Sequence, residues 1–218
     1  MKIASFVGQK GGVGKSALAR SLATYAARQG QQVLLADFDL EQLTSVEWAA
    51  ARMQAGVEPE IDARPFKSLK KLRKIEEGFD LVVVDTRGLA DDLTEDVAKE
   101  SDVVFLPSGT SMDDLRPTLG LARKLARMRS VNDKIVIVFS KVGRSERLLE
   151  QAQAMVEDAG FAYLTEHWPE RDGIQADLDA GKAGSESSNP YLREAALRVE
   201  LALMSCITEG SSAIESIT

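Results

Sequence analysis

Nine consecutive residues, Gly8-Gln9-Lys10-Gly11-Gly12-Val13-Gly14-Lys15-Ser16, carry the densest chemistry in the chain. Closely spaced glycines let a backbone turn its N–H groups toward one point, which suits an anion. Lys15 adds a cation and Ser16 a hydroxyl, and a helix opening there adds its positive N-terminal end. Together they would cradle phosphates, with magnesium on the hydroxyl. The spacing G-x-x-x-x-G-K-[ST] is met from residue 9, where glutamine replaces the first glycine; Gly8 stands one residue too early. Three carboxylates complete the set. Asp37 and Asp39 close the stretch Ala36-Asp37-Phe38-Asp39, and Asp85 ends Leu81-Val82-Val83-Val84-Asp85. A carboxylate at the C-terminal end of a buried parallel strand, beside such a loop, can meet magnesium or the attacking water.

These residues need a scaffold that brings separate strand ends together. Val33-Leu34-Leu35-Ala36, Leu81-Val82-Val83-Val84, Val103-Val104-Phe105-Leu106 and Ile135-Val136-Ile137-Val138-Phe139 are continuous and mostly β-branched. Strands buried on both faces of a parallel sheet read this way. Residues 3–7 predict another strand, and 60–64 and 161–164 two weaker ones. Helical periodicity fills the gaps. Leu18, Leu22, Tyr25 and Ala26 share a face, as do Leu115, Leu119, Ala122 and Ala126, and Leu148, Ala152, Met155 and Ala159. Thr44 with Glu47 predicts a capping box, Ser145 an N-cap, and Pro117 a place in a first helical turn. The alternation predicts an α/β fold, a doubly wound and mainly parallel sheet flanked by helices. Residues 1–208 are expected to form one domain, with a last helix from Tyr191 to about Ile207, and 209–218 a flexible tail.

Composition narrows the chemistry. With 218 residues, 44% hydrophobic and 28% charged, the chain is neither disordered nor fibrous. One cysteine, Cys206, and one histidine, His167, exclude a disulfide framework, a cysteine zinc site and a multi-histidine metal site. No apolar run approaches the roughly 18 residues of a membrane span. A soluble, cytoplasmic protein is expected. The net charge of −7 disfavours a surface that coats nucleic acid everywhere, so DNA binding would need a local basic patch.

Lys10-Gly11-Gly12-Val13-Gly14-Lys15-Ser16 resembles the deviant Walker A motif, K-G-G-x-G-K-[ST], of the ParA/MinD ATPases. Asp37-Phe38-Asp39 resembles that family's D-x-D, and the run ending at Asp85 its Walker B strand. The resemblance covers nearly the whole chain. It implies ATP and Mg2+ as cofactors, with Lys10, Gly11, Gly12, Val13, Gly14, Lys15, Ser16 and Ala17 on the nucleotide. It places Ser16, Asp37 and Asp85 at the metal, and Asp39 on the attacking water. It makes Lys10 reach the partner's ATP across a homodimer, so that hydrolysis depends on dimerisation as it does with an arginine finger. Pro169-Glu170-Arg171 and Ala180-Gly181-Lys182 resemble the segment flanking adenine, which implies adenine contacts at Lys141 and Pro169.

The sequence also departs from the family. Leu40-Glu41-Gln42 stands where Pro-Gln is common, and Thr86-Arg87-Gly88 where a Thr-Pro-Pro type is common. Glu41 would cap a loop. Arg87 would approach the γ-phosphate or the dimer partner, or pair with Asp91 or Asp92. One cysteine cannot hold the iron–sulfur cluster of the nitrogenase-type relatives. The C-terminal stretch has no Lys or Arg for a MinD-like membrane helix. The chain opens directly on its first strand, so no preceding DNA-reading domain is expected. The implied protein is of the short ParA type, nucleoid-associated, stimulated by a ParB-like or other adaptor. It would position plasmid, chromosomal or other cargo. Of three basic sets, Lys141, Arg144, Arg147, Arg193 and Arg198 are favoured for non-specific DNA. The others are Lys67, Lys70, Lys71, Arg73 and Lys74, and Arg123, Lys124, Arg127 and Arg129. The alternatives are a small-molecule ligase resembling dethiobiotin synthetase and a protein-only ATP switch.

Overall fold

A computed structural model describes residues 1–75, 78–88, 92–170 and 172–209. Seven strands form one parallel sheet, β1 (Lys2–Phe6), β2 (Val33–Asp37), β3 (Asp62–Pro65), β4 (Leu81–Asp85), β5 (Val103–Ser108), β6 (Ile135–Phe139) and β7 (Ala162–Tyr163). Their order is β3-β2-β4-β1-β5-β6-β7. The order reverses beside β1, the place where an open α/β sheet leaves a crevice at its carboxyl edge. Parallel register then fixes which strand ends meet. Phe6 lies opposite Asp85 on one side of β4, and Asp37 opposite Asp85 on the other.

Alternate side chains of each strand feed two apolar layers. Ala4, Phe6, Leu35, Val83 and Phe105 pack under α1 (Lys15–Arg28) and α8 (Pro190–Glu209). Val7, Leu34, Val84, Leu106 and Ile137 pack under α5 (Met112–Ala126) and α6 (Glu146–Asp158). Phe6 and Phe105 stack across β1 and β5 with ring centres 5.1 Å apart. The remaining α-helices among the described residues are α2 (Thr44–Gln54), the single turn α3 (Leu69–Leu72), α4 (Asp92–Glu100) and α7 (Asp172–Asp179).

Several local expectations change. Thr44 is the first residue of α2, not its cap. Leu43 takes the cap position in left-handed backbone with no side-chain cap bond. The start of α2 is instead held by Asp37, and the site explains why. Pro117 sits in the second turn of α5 rather than the first, and Ser111 caps that helix by accepting from Asp114 N. On α6 the buried positions are Ala152 and Val156, while Leu148 is exposed. Ser145 caps α6 as expected, accepting from Leu148 N. The last helix extends from Pro190 to Glu209. Of the expected tail only Glu209 is described, within that helix; 210–218 lie outside the described residues. Among the described residues no helix is long and apolar enough to cross a membrane.

Two buried polar devices join α1, α2 and α8. Arg52 on α2 is fully buried and donates to both oxygens of Glu186, at 2.6 and 2.8 Å, and to the carbonyls of Pro59 and Gly181. Its charge is therefore paired and its donors used, as burial demands. Glu200 on α8 is also fully buried; its Oε1 accepts from Ser185 N at 3.3 Å, while Oε2 is buried with no hydrogen-bond partner. Burial pushes Glu200 up to about 7 from its ordinary 4.5, against hydrogen bonds from Ser185 and Ser21. A carboxyl raised in this way keeps its proton in the folded chain after the unfolded chain has released it. Stability then falls as pH rises from about 4.5 to about 7. Asp85, pushed up to about 6, acts in the same direction. Glu186 is lowered and acts only in acid, below its ordinary value. We expect urea unfolding in EDTA to show greater stability at pH 5.5 than at pH 8, with about 2 kcal/mol of the difference from Glu200. Glu200→Gln should remove that part of the slope; an unchanged slope would assign it elsewhere.

Candidate functional site

Gly12 and Gly14 hold φ of 78° and 90°, the left-handed backbone that lets the loop turn back on itself. Gly14 also lies against β6, where an added Cβ would come within 3.2 Å of Ser140 Oγ. Ser140 donates to the Val13 carbonyl and fixes the loop to the strand end. Lys15 is 8% exposed and donates to the Lys10 carbonyl at 3.0 Å. Burial pulls its ammonium below the ordinary value, while Asp85 and Asp39 oppose that. A buried cation facing a cleft suits an incoming phosphate, which restores the solvation it lacks.

The cleft holds about 580 Å³ and runs from the glycine loop between α2 and α7. Gly11, Gly12, Gly14, Lys15, Ser16 and Ala17 form one wall; Asp39, Thr86 and Lys141 also face it. Trp48, Ala51 and Leu178 give its far end apolar surface, beside Arg20, Gln175 and Asp179. Val13 is buried behind the loop. Pro169 does not line the cleft. It is buried in a bridge with Val142. Lys141 stands in left-handed backbone, φ 53°, with its ammonium beside Gly12, at the phosphate loop.

The carboxylates divide their work. Asp85 is 2% exposed; its Oδ2 accepts from Ser45 Oγ at 2.7 Å, while Oδ1 is buried with no partner. Burial pushes Asp85 up to about 6, the Ser45 bond opposing and Asp37's charge adding. An orphaned carboxylate oxygen near the Ser16 hydroxyl is a hard-oxygen set that fits magnesium holding several waters. Asp37, expected near the metal, is held by three backbone amides. Its Oδ1 accepts from Asp39 N at 2.9 Å and its Oδ2 from Ser45 N and Val46 N at 3.0 and 3.3 Å. It caps α2 from the strand below. Asp39 accepts from Glu41 N and Gln42 N with Oδ1, so Asp39, not Glu41, caps this loop.

Lys10 leaves its own cleft. Its ammonium sits 2.5 Å from Asp114 Oδ1 on α5, with Ser111 Oγ donating to Asp114 Oδ2. The pair is exposed, 45% for the lysine and 23% for the carboxylate. Arg87 is half-buried and does not line the cleft; of its two expected partners, Asp92 opens α4 and Asp91 lies outside the described residues, as does Arg171.

The favoured basic set is dispersed in role. Lys141 belongs to the phosphate loop. Arg198 pairs with Glu166 and Glu194, and Arg193 donates to the Ser187 carbonyl. Arg144 and Arg147 are exposed with no acid partner among the described residues. In the second set Lys124 pairs with Glu95, and in the first Arg73 pairs with Glu100.

Four site residues escaped sequence reasoning: Arg20, Ser45, Asp114 and Trp48. Arg20 follows Ser16 by one helical turn, a signal that could have placed it on the same cleft. Asp114 and Ser45 carried none.

The chain matches the model of the CobQ/CobB/MinD/ParA nucleotide-binding domain over residues 4–182. No curated protein matches it in sequence. Solved structures with the same fold include the MinC:MinD cell division protein complex of Aquifex aeolicus, at TM-score 0.74, 14% identity, and 94% and 96% of the two chains covered. A plasmid partition protein of Borrelia burgdorferi bound to AMPPNP aligns at TM-score 0.68 and 18% identity, over 93% of this chain and 98% of that one. Cobyrinic acid a,c-diamide synthase of Mycobacterium smegmatis, with an ATP analogue and magnesium, aligns at 0.72 and 18%, over 96% of each.

Proposed function

This chain belongs to the CobQ/CobB/MinD/ParA nucleotide-binding family, and from that membership we propose a ParA-like ATPase that dimerises around ATP. The observation that carries this reading is Lys10. A lysine meant for its own nucleotide would line its own cleft, as Lys15 does. Lys10 instead extends along the exposed far side of the loop, where a second subunit can present phosphates to it. The glycine-loop amides and Lys15 bind the phosphates of ATP. Ser16 and Asp85 hold magnesium, which supplies charge neutralisation at the phosphates. Asp39 leaves its loop bonds to orient the attacking water. Hydrolysis is slow until dimer and adaptor partner are present, and the cycle positions cargo on nucleoid DNA.

The Lys10–Asp114 pair holds the lysine until the dimer forms. An ion pair this exposed is worth up to about 1 kcal/mol. Asp114→Asn keeps the shape and removes the charge, so ATP-dependent dimerisation should strengthen about two- to fivefold. Sedimentation with ATP across protein concentrations checks this. Weaker or unchanged dimerisation would deny Asp114 that role.

DNA retention tests the function. Binding should require ATP, ignore sequence and fall steeply with salt, because counterion release dominates contacts to phosphates. Arg144 and Arg147, exposed and without acid partners among the described residues, are the first positions to neutralise. The structural likeness to the cobyrinic acid enzyme keeps a small-molecule reading in view. ATP hydrolysis without DNA retention in any nucleotide state would favour it.

A further inference from the structure

Three groups converge on one fully buried residue, Ser45, at the start of α2. Ser45 Oγ donates to Asp85 Oδ2 at 2.7 Å. The same oxygen accepts from Arg20 Nε at 3.2 Å. The Ser45 amide donates to Asp37 Oδ2 at 3.0 Å. A guanidinium only donates, so the serine must turn a lone pair to Arg20 and its proton to Asp85. Arg20 is itself held, its guanidinium 5.8 Å over the Trp48 ring. The hydroxyl therefore has one orientation, and it claims one oxygen of Asp85. The oxygen left over is Oδ1, buried and without a partner.

The contacts continue to the catalytic loop. Asp37, bound by the Ser45 amide, accepts the Asp39 amide at its other oxygen. Between Asp39 and α2 the chain has no slack. Leu43 N donates to the Asp39 carbonyl at 2.8 Å, and Leu43 is held at φ 47°, a conformation that a leucine adopts only under constraint. Among the described residues, Ser45 thus hydrogen-bonds both Asp37 and Asp85 while standing on the element the Asp39 loop leads into.

We propose that Ser45 is a positioning residue of the ATPase site. It turns Asp85 so that Oδ1 is the oxygen offered to magnesium, and it ties that carboxylate to the loop carrying Asp39. Arg20 fixes the direction of the serine's bond. The proposal rests on the ATP–magnesium reading of the cleft.

The test uses the full chain and a fluorescent ATP analogue, titrated in EDTA and then with Mg2+. Ser45→Ala should bind the analogue in EDTA within about twofold of the parent, since the glycine loop is untouched. Its Mg2+ half-saturation should rise about tenfold or more, the usual effect of removing a group that orients a metal ligand. Ser45→Thr keeps the hydroxyl and should return it toward the parent. Arg20→Met should shift it in the same direction by less, and it serves as the second test if Ser45→Ala folds poorly. Unchanged Mg2+ half-saturation in a folded Ser45→Ala or Arg20→Met overturns the proposal, as does equal loss of binding with and without Mg2+. A parent protein that binds no analogue under either condition overturns the ATP reading itself.

Discussion

Lys10→Ala is expected to bind ATP as the parent does and to lose hydrolysis by about a thousandfold or more. The first half follows from geometry. Lys10 lies outside its own cleft, paired with Asp114, while Lys15 and the glycine loop line it. The second half follows from charge. Phosphoryl transfer spreads negative charge over oxygens that a positioned cation stabilises, and a cation supplied from another subunit is absent until the dimer forms. Mixing supplies the decisive measurement. Lys10→Ala and Asp39→Ala proteins are each expected to be inactive. A mixed dimer contains one site with an intact Asp39 and a lysine from the other subunit, so mixing should restore hydrolysis. An active Lys10→Ala monomer, or a mixture as inactive as its parts, would refute action across a dimer.

Lys15→Ala should lose ATP affinity by about a thousandfold, roughly 4 kcal/mol, which is the order for truncating one partner of a desolvated charge pair. The fold should be indifferent. Lys15 is buried with no carboxylate bond among the described residues and spends its ammonium on one carbonyl. Burying that charge already costs stability, so alanine removes a cost along with a hydrogen bond. Calorimetric titration with ATP and urea unfolding together separate the two effects. Unchanged affinity would sink the phosphate-loop reading, and a large drop in urea midpoint would show that the lysine serves the fold.

The fold was legible because its signals are local and redundant. A strand buried on both faces must be apolar along its length, and β2, β4, β5 and β6 are, up to the polar residues Asp37, Asp85 and Ser108 that end the first three. The glycine loop was legible because few residue types can build it. What failed was reading that required knowing a neighbour. Thr44 and Glu47 have the spacing of a capping box, yet Asp37, seven residues before Thr44 on an adjacent strand, had already taken the amides of Ser45 and Val46. Leu148 fits a helical stripe, yet the sheet covers the positions beside it. Asp37 reads as a metal carboxylate, and nothing in the sequence tells that its oxygens also accept from three amides.

By itself the sequence determined the parallel α/β scaffold, the phosphate loop, the acidic strand ends and the exclusion of cysteine- or histidine-rich metal chemistry. These depend on residue type and short spacing, which are properties of a chain before it folds. Only the tertiary structure decided how the carboxylates share their work, that Lys10 turns away to Asp114, and that Ser45 stands between Asp37 and Asp85. Those contacts join residues 8, 40 and 104 positions apart. A carboxylate looks the same in sequence whether it caps a helix, meets a metal or holds a lysine. The strand register that sets Asp37 opposite Asp85 is what gives each its neighbour, and with it its role.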